Sequence, residues 1–358
     1  MSSSSDPFVI CREAQDARVF PGATVWLSRG QKIAAHFASG TTAYDANYSA
    51  PVALDTIYDI ASLSKLFTMT AWLMAARENK IEVETPIARF IPQRSSTSFD
   101  DITIRDLLRH SSGITFAIQE LENVPASQWN ARIAAAPLGH KVGSKVHYSC
   151  TNYYLLARII EIIAATPLHI FIADRILAPL QMWDTTFSPT EQYSLQQIAP
   201  TEIDKEDQTP HHGIVHDEAA RSWQLQTGGA CGNAGLFSTA SDLARFARIW
   251  LEDGAPILHE TDARRAFSNT LPENQNLRGW CWQIDMLGFM SHLRPPQTVG
   301  HMGFTGPTLL LNPQTKHIAV VLNNRVYPTR DGPNRLSYHR RLAAWLFEKT
   351  GRELELGQ

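Results

Sequence analysis

Strand-forming runs sit at the two ends of this 358-residue chain, with mostly helical or irregular sequence between them, so a sheet must draw strands from both ends. Residues 23–27 and 33–37 flank Ser28-Arg-Gly-Gln31 and predict an N-terminal hairpin. Near the other end, the apolar runs 308–311 and 318–322 surround the turn sequence Asn312-Pro-Gln-Thr315 and predict a second one. Stretches 102–110, 153–164, 171–180 and 240–252 predict helices, and 337–349 predicts a final helix packing Leu342, Trp345 and Leu346 on the sheet. The polar segment 188–227, with Pro200, Pro210 and Gly213, predicts a long loop able to cover a cleft and set substrate choice. The expected fold class is α/β. An antiparallel sheet built from residues 1–75 and 278–358 is flanked by helices, and 76–277 forms an inserted, mostly helical domain with the covering loops.

The chemistry-bearing feature is Asp59-Ile-Ala-Ser-Leu-Ser-Lys-Leu-Phe-Thr68. Ser62 and Lys65, three apart, place a hydroxyl beside an amine on one helix face, and no other lysine has a serine three positions before it. The plainer alternative makes Ser62 an N-cap and Lys65 a solvated first-turn charge. Leu63, Leu66, Phe67, Leu73 and Met74 follow a helical period, and Ala71, Ala75 and Ala76 leave little polar surface, so the helix is expected to be buried. Burial and the helix dipole both disfavour a cation there, so Lys65 is expected as a neutral amine that activates Ser62. Acyl transfer also needs a second proton shuttle and backbone donors for an oxyanion. Tyr148, just ahead of a helical stretch, supplies the first, and Gly300-His-Met-Gly-Phe-Thr-Gly306 lies at a strand able to supply the second.

Taken in order, these segments resemble the serine beta-lactamase and penicillin-binding protein family, in particular its class C-like branch of esterases, D-amino-acid peptidases and related hydrolases. The family's Ser-x-x-Lys falls on Ser62 and Lys65, its Tyr-x-Asn on Tyr148-Ser149-Cys150, and its Lys-or-His-x-Gly on His301-Met302-Gly303. Residues 102–114, 215–221, 232–240 and 324–328 extend the likeness. The resemblance implies attack by Ser62 on a carbonyl, with Lys65 and Tyr148 sharing the proton transfers; which of the two deprotonates Ser62 stays open. It also implies an oxyanion hole from the amides of Ser62 and Phe304, with His301 and Gly303 lining the pocket and His301 either orienting Tyr148 or meeting a substrate carboxylate. No metal or cofactor is implied.

Two positions depart from the pattern. Cys150 replaces the usual asparagine, removing an amide that could bind both the lysine and a substrate carbonyl, and Asn152 is a candidate substitute. Asn233 stands where related sequences often have histidine. A histidine at 301, neutral at neutral pH where a lysine would be charged, turns the expectation from beta-lactams toward esters or amides. The expected function is therefore a serine hydrolase acting on a small-molecule ester or amide, esterase leading. A D-amino-acid peptidase or muropeptide amidase and a class C-like beta-lactamase are the alternatives, with a transacylase also open. From another class comes a penicillin-binding sensor without turnover.

Composition limits the partners. Hydrophobic content of 44 % supports a sizeable core, and a net charge of −3 without a long like-charge block argues against nucleic acid or an anionic membrane surface. Met1-Ser-Ser-Ser-Ser-Asp-Pro lacks a signal peptide's basic start and apolar stretch, so the chain as written is expected to be cytoplasmic, or periplasmic or secreted if a leader was removed. Cys11, Cys150, Cys231 and Cys281 have no Cys-x-x-Cys spacing and are expected as free thiols. His211, His212 and His216 include a four-residue pair, but Gly213 between them argues against a zinc-binding helix. Gly228–Gly235 lacks the strand and lysine of a phosphate cradle and is expected to be a loop wall, His110 is expected to hydrogen-bond a loop, and no Gly-x-Ser-x-Gly elbow occurs.

Overall fold

A computed structural model describes residues 6–91, 99–268 and 277–355, with side chains to residue 348. Residues 1–5, on which the localisation expectation rests, lie outside this description. The N-terminal part holds α1 (Pro7–Asp16), β1 (Gly22–Arg29), β2 (Lys32–Gly40), β3 (Tyr58–Asp59) and α2 (Ser64–Asn79). The central part holds α3 (Ile104–Leu108), α4 (Trp129–Ala135), α5 (Cys150–Ala164), α6 (Leu168–Ile172), α7 (Glu218–Thr227), β4 (Phe237–Ser238), α8 (Ala240–Leu251) and α9 (Glu260–Ala266). The C-terminal part holds β5 (Gln283–Ile284), α10 (Leu287–Met290), β6 (Val299–Met302), β7 (Thr308–Asn312), β8 (His317–Asn323) and α11 (Leu336–Glu355).

The two expected hairpins form and join. The six-stranded sheet runs β2-β1-β8-β7-β6-β5, antiparallel throughout, with Val25 of β1 facing Phe37 on one side and Val321 on the other. Because side chains alternate along a strand, the apolar runs divide between two faces. Ala23, Val25, Leu27, Leu310, Ala319 and Val321 pack with Ile10, Leu342 and Leu346 of α1 and α11. Leu309, Leu311, Ile318, Val320 and Leu322 belong to the core on the opposite side, with Leu66 of α2 and Trp250 of α8. All seven residues of β8 are buried, and its inner five, residues 318–322, form a continuous apolar run.

α2 has almost no solvent face, as its small and apolar composition requires. Phe67 stacks on Phe246 of α8 with ring centroids 4.1 Å apart. Its entry is fixed by the two-residue pairing of β3 with β4, Tyr58 opposite Ser238 and Asp59 opposite Phe237.

Several expected elements differ in detail. The helix expected over 102–110 is only α3: Thr103 and Asp106 form its capping box, and His110 lies at φ +60°, outside any helix. The helix expected from 153 begins at Cys150, because Ser149 in extended conformation serves as its N-cap. The helix expected over 171–180 starts earlier, after Pro167, and widens into a π turn over Ala173–Leu177. The loop expected over 188–227 ends in α7, whose N-cap Asp217 accepts a 2.8 Å hydrogen bond from the Ala220 amide. α1, capped by Asp6 with Pro7 in its first turn, was not expected. All four cysteines are free, and among the described residues no single helix is long and apolar enough to cross a membrane.

Candidate active site

The chain reaches Ser62 through a strained turn. Ala61 has φ +44°, a conformation that costs a residue with a β-carbon of order 1–3 kcal/mol, and its amide donates to Asp59 Oδ1 at 2.7 Å. Ser62 follows in a 3-10 turn, Ala61–Leu63, that runs directly into α2. One turn on, Lys65 is fully buried, with Nζ donating to Ser62 Oγ at 2.9 Å and to the carbonyl oxygen of Asn233 at 2.8 Å. Lys65 is therefore no solvated surface charge.

The glycine-rich loop delivers that carbonyl, and it does form a wall. Gly232 has φ +98°, and a β-carbon there would lie 2.4 Å from Ala157 Cβ and 2.7 Å from the Tyr153 carbonyl oxygen. Only glycine lets the loop approach α5 so closely. Asn233 Nδ2 donates to Asp217 Oδ1 at 3.1 Å, so the side chain ties the loop to α7 while the backbone serves Lys65.

Tyr148 reaches the cleft from the loop ahead of α5, its ring centroid 5.2 Å from Lys65 Nζ. It exposes 40 % of its surface at the cleft mouth, while its hydroxyl interacts with Ser62 and Lys65. His110 supports this loop from behind: its Nδ1 accepts from the Ser149 amide at 3.1 Å, and its ring lies 4.6 Å from that of Tyr148. The expected loop contact of His110 is thus to the segment carrying Tyr148.

The expected neutral Lys65 needs correction. Burial does push its amine down, but its electrostatic interactions with Cys150, Tyr148 and Asp217 and a hydrogen bond with Tyr148 together outweigh burial and hold Lys65 above the ordinary lysine value. Burial pushes the Tyr148 phenol up, against the lowering influence of the Lys65 charge. An ammonium beside a phenol is the resting form, and the two titrate as a unit.

His301 meets expectation as an uncharged group. Burial, aided by the charges of Lys65 and Arg278, pushes its imidazole down to about 3, and its Nε2 has no hydrogen-bond partner. Gly303 packs against the turn that leads to Ser62; a β-carbon there would meet the Ile60 carbonyl oxygen at 2.5 Å. Ser62, Tyr148, Cys150, His301, Gly303 and Phe304 all line one cleft of about 450 Å³. Among the described residues, the amides of Ser62 and Phe304 make no backbone–backbone hydrogen bond outside helices and strands. Asn152 is not part of this group. Two residues along a helix turn a side chain about 200° away from Cys150. The Asn152 amide is committed to Ser112 Oγ at 2.7 Å and to His110 at 3.3 Å.

The Beta-lactamase family model matches residues 10–344. The chain belongs to the Beta-lactamase family. It is 30 % identical over 304 residues to a protein of Escherichia coli K12 named "Putative D-alanyl-D-alanine carboxypeptidase", covering 75 % of this chain and 69 % of that one. In fold it is similar to an octameric penicillin-binding protein homologue from Pyrococcus abyssi (TM-score 0.75, 22 % identity, 96 % of this chain and 77 % of the other). A second similar structure is EstCE1, a hydrolase with promiscuous acyltransferase activity (TM-score 0.73, 17 % identity, 95 % and 97 %). This Beta-lactamase-family protein is accordingly a serine hydrolase, with a mixed α/β fold of the expected kind.

The cleft of this family member also holds residues that motif reading missed. Arg335 donates to the Gly303 carbonyl oxygen at 2.9 Å and leaves its Nε without a partner. Arg330 is neutralised by Glu202 and Glu218, each at 2.6 Å. His216 stacks on Phe304 with ring centroids 5.6 Å apart, and burial pushes its imidazole down to about 4. Arg330 and Arg335 come from the segment leading into α11, where no motif marks them. His216 falls in the 215–221 segment of the resemblance, the one available signal. His212 Nε2 sits 2.6 Å from the Leu195 carbonyl oxygen and 2.7 Å from that of Ile198, so this ring is engaged with backbone.

Proposed function

We propose that this chain hydrolyses small carboxylic esters through an acyl-enzyme on Ser62. The observation that carries the reading is the 2.9 Å contact of Ser62 Oγ with a buried Lys65 whose second donor is anchored on Asn233. Ser62 Oγ attacks the carbonyl carbon once the Lys65–Tyr148 pair has given up one proton, and the serine proton passes into that pair. The tetrahedral oxyanion is held by the amides of Ser62 and Phe304. As the bond to the leaving alcohol breaks, the pair returns a proton to the departing oxygen, and water then repeats the sequence on the acyl-enzyme.

An ester is favoured over a beta-lactam or peptide because the wall at His301 is uncharged and Cys150 offers no amide to a substrate carbonyl. A second reading, cleavage of a peptide ending in a free carboxylate, is favoured by the Arg335 guanidinium beside Gly303 and by the name of the Escherichia coli relative, a putative D-alanyl-D-alanine carboxypeptidase.

The test is turnover of p-nitrophenyl acetate and butyrate, nitrocefin and a D-alanyl-D-alanine peptide, read together with intact mass. Ester turnover dominating the panel supports the proposal, and dominant peptide or nitrocefin cleavage replaces it. Stable mass addition at Ser62 without turnover assigns the site to a sensor or to an acyl-enzyme awaiting another acceptor.

A further inference from the structure

Asp59 is buried, yet its three acceptor atoms serve three different parts of the site. Oδ1 accepts from the Ala61 amide at 2.7 Å, holding the strained residue just before Ser62. Oδ2 accepts from the His216 amide at 2.8 Å, on the segment that leads into α7 and stacks its imidazole on Phe304. Its backbone carbonyl accepts from Thr305 Oγ1 at 2.7 Å, the residue directly after Phe304. The two backbone amides assigned to the oxyanion, Ser62 and Phe304, are thus each one residue from a group bonded to Asp59.

We propose that Asp59 is a positioning residue that sets the spacing of the two oxyanion amides and couples it to the segment carrying His216. This rests on the hydrolase reading above. Both side-chain oxygens face N–H donors, so only an ionised carboxylate satisfies them together; an asparagine turns its own NH2 toward one of those donors. Oxyanion donors must lie within about 2.7–3.1 Å of the developing charge, and misplacement by about 1 Å costs roughly 100-fold in rate.

The geometry is supported by the titration of the group. Burial pushes the Asp59 carboxyl up to about 6; the amides of His216 and Ala61 work against this, as does Arg221 of α7, while Asp217 ahead of α7 raises it further. Below that pH the proton must sit on one of the two oxygens, and one amide loses its acceptor.

The experiment compares unmodified protein, Asp59→Asn and Thr305→Val in ester turnover, in Ser62 labelling by a fluorophosphonate and in affinity for a phenylboronic acid that mimics the tetrahedral intermediate. The expected result for Asp59→Asn is a fall of about 100-fold in kcat and in boronic acid affinity together, with KM changed by less than about threefold. Thr305→Val is expected to show the same pattern at about tenfold, the loss of one buried hydrogen bond. In unmodified protein, log(kcat/KM) is expected to steepen below about pH 6 as a second proton enters, and this steepening is expected to vanish in Asp59→Asn. Activity and boronic acid affinity in both variants within about threefold of the unmodified protein overturn the proposal, as does a loss confined to KM. If Asp59→Asn does not fold, Thr305→Val and the unmodified profile decide, and a single slope down to pH 5 overturns it. Unmodified protein that neither turns over nor labels at Ser62 overturns the hydrolase reading itself, and the proposal with it.

Discussion

Lys65 Nζ donates to the carbonyl oxygen of Asn233 at 2.8 Å, a contact between residues 168 positions apart. With a second donor on Ser62, the ammonium has two of its three hydrogens committed and keeps one for Tyr148. The lysine is aimed by backbone, which no side-chain substitution at 233 removes directly.

Removing the nucleophile should separate chemistry from folding. Ser62→Ala is expected to lower kcat on the order of 10⁴–10⁶-fold with an unchanged circular dichroism spectrum and melting temperature. Retention of ordinary rates would sink the assignment of Ser62.

Tyr148 should reveal itself in the pH profile as well as in the rate. Tyr148→Phe is expected to lower kcat/KM by roughly 10²–10⁴-fold. The same change removes the electrostatic interaction and hydrogen bond of Tyr148 that help hold Lys65 up, so the acid limb of the remaining activity should move to lower pH. Stopped-flow acylation across pH reads both effects, and an unmoved acid limb would show that the two groups do not titrate together.

Cys150 sits at the head of α5 on the cleft wall. Cys150→Asn restores an amide there and is expected to raise nitrocefin hydrolysis relative to ester hydrolysis. An unchanged ratio would remove this position from substrate selection.

The approach of the glycine loop to α5 can be tested without touching a functional side chain. Gly232→Ala forces a β-carbon against Ala157 and the Tyr153 carbonyl at φ +98°. Its expected cost is at least about 2 kcal/mol in denaturant unfolding. A fall in kcat should accompany it, because the Asn233 carbonyl retreats from Lys65.

Acid should weaken the fold through its buried imidazoles. His110, His216, His301 and His339 are all pushed below the ordinary histidine value, chiefly by burial. The unfolded chain therefore binds more protons, and the stability present above about pH 6.5 is lost as pH falls toward each folded value. His216 alone, titrating at about 4 when folded, withdraws about 3 kcal/mol by pH 4. Asp59, raised to about 6, has the opposite sign: its contribution is largest below about pH 4 and is lost as pH rises through 6. Four imidazoles outweigh one carboxyl, so thermal melts should show a midpoint that falls steadily from pH 7 to pH 4.5.

The parts of the site legible in the sequence were those whose chemistry and periodicity agree. Ser62 and Lys65 share a helix face by spacing alone, Tyr148 stands at a helix start, and the two hairpins announce themselves by apolar runs around turn residues. The charge of Lys65 was misjudged because burial follows from an apolar helix, whereas its partners Cys150, Tyr148 and Asp217 are brought in by other segments. Asn152 was misplaced because two steps along the chain are close in sequence but nearly opposite around a helix. The Asn233 carbonyl carries no residue-type signal, and Arg335 meets Gly303 only through the path of the chain between β8 and α11. α7 was hidden because Asp217, its cap, lies at the end of a long polar stretch.

β1 pairs with β8 along its length, from Ala23 opposite Asn323 to Arg29 opposite His317. A nascent chain that has already exposed Ser62 on the ribosome must wait for about 260 further residues, to Asn323, before that ladder can close, and long-range pairings of this kind are slow to form. The strand leading to the nucleophile and the loop bearing the Phe304 amide come together only at this last stage. The complete site can therefore assemble only late in synthesis, after the segments carrying Phe304 and β8 have emerged.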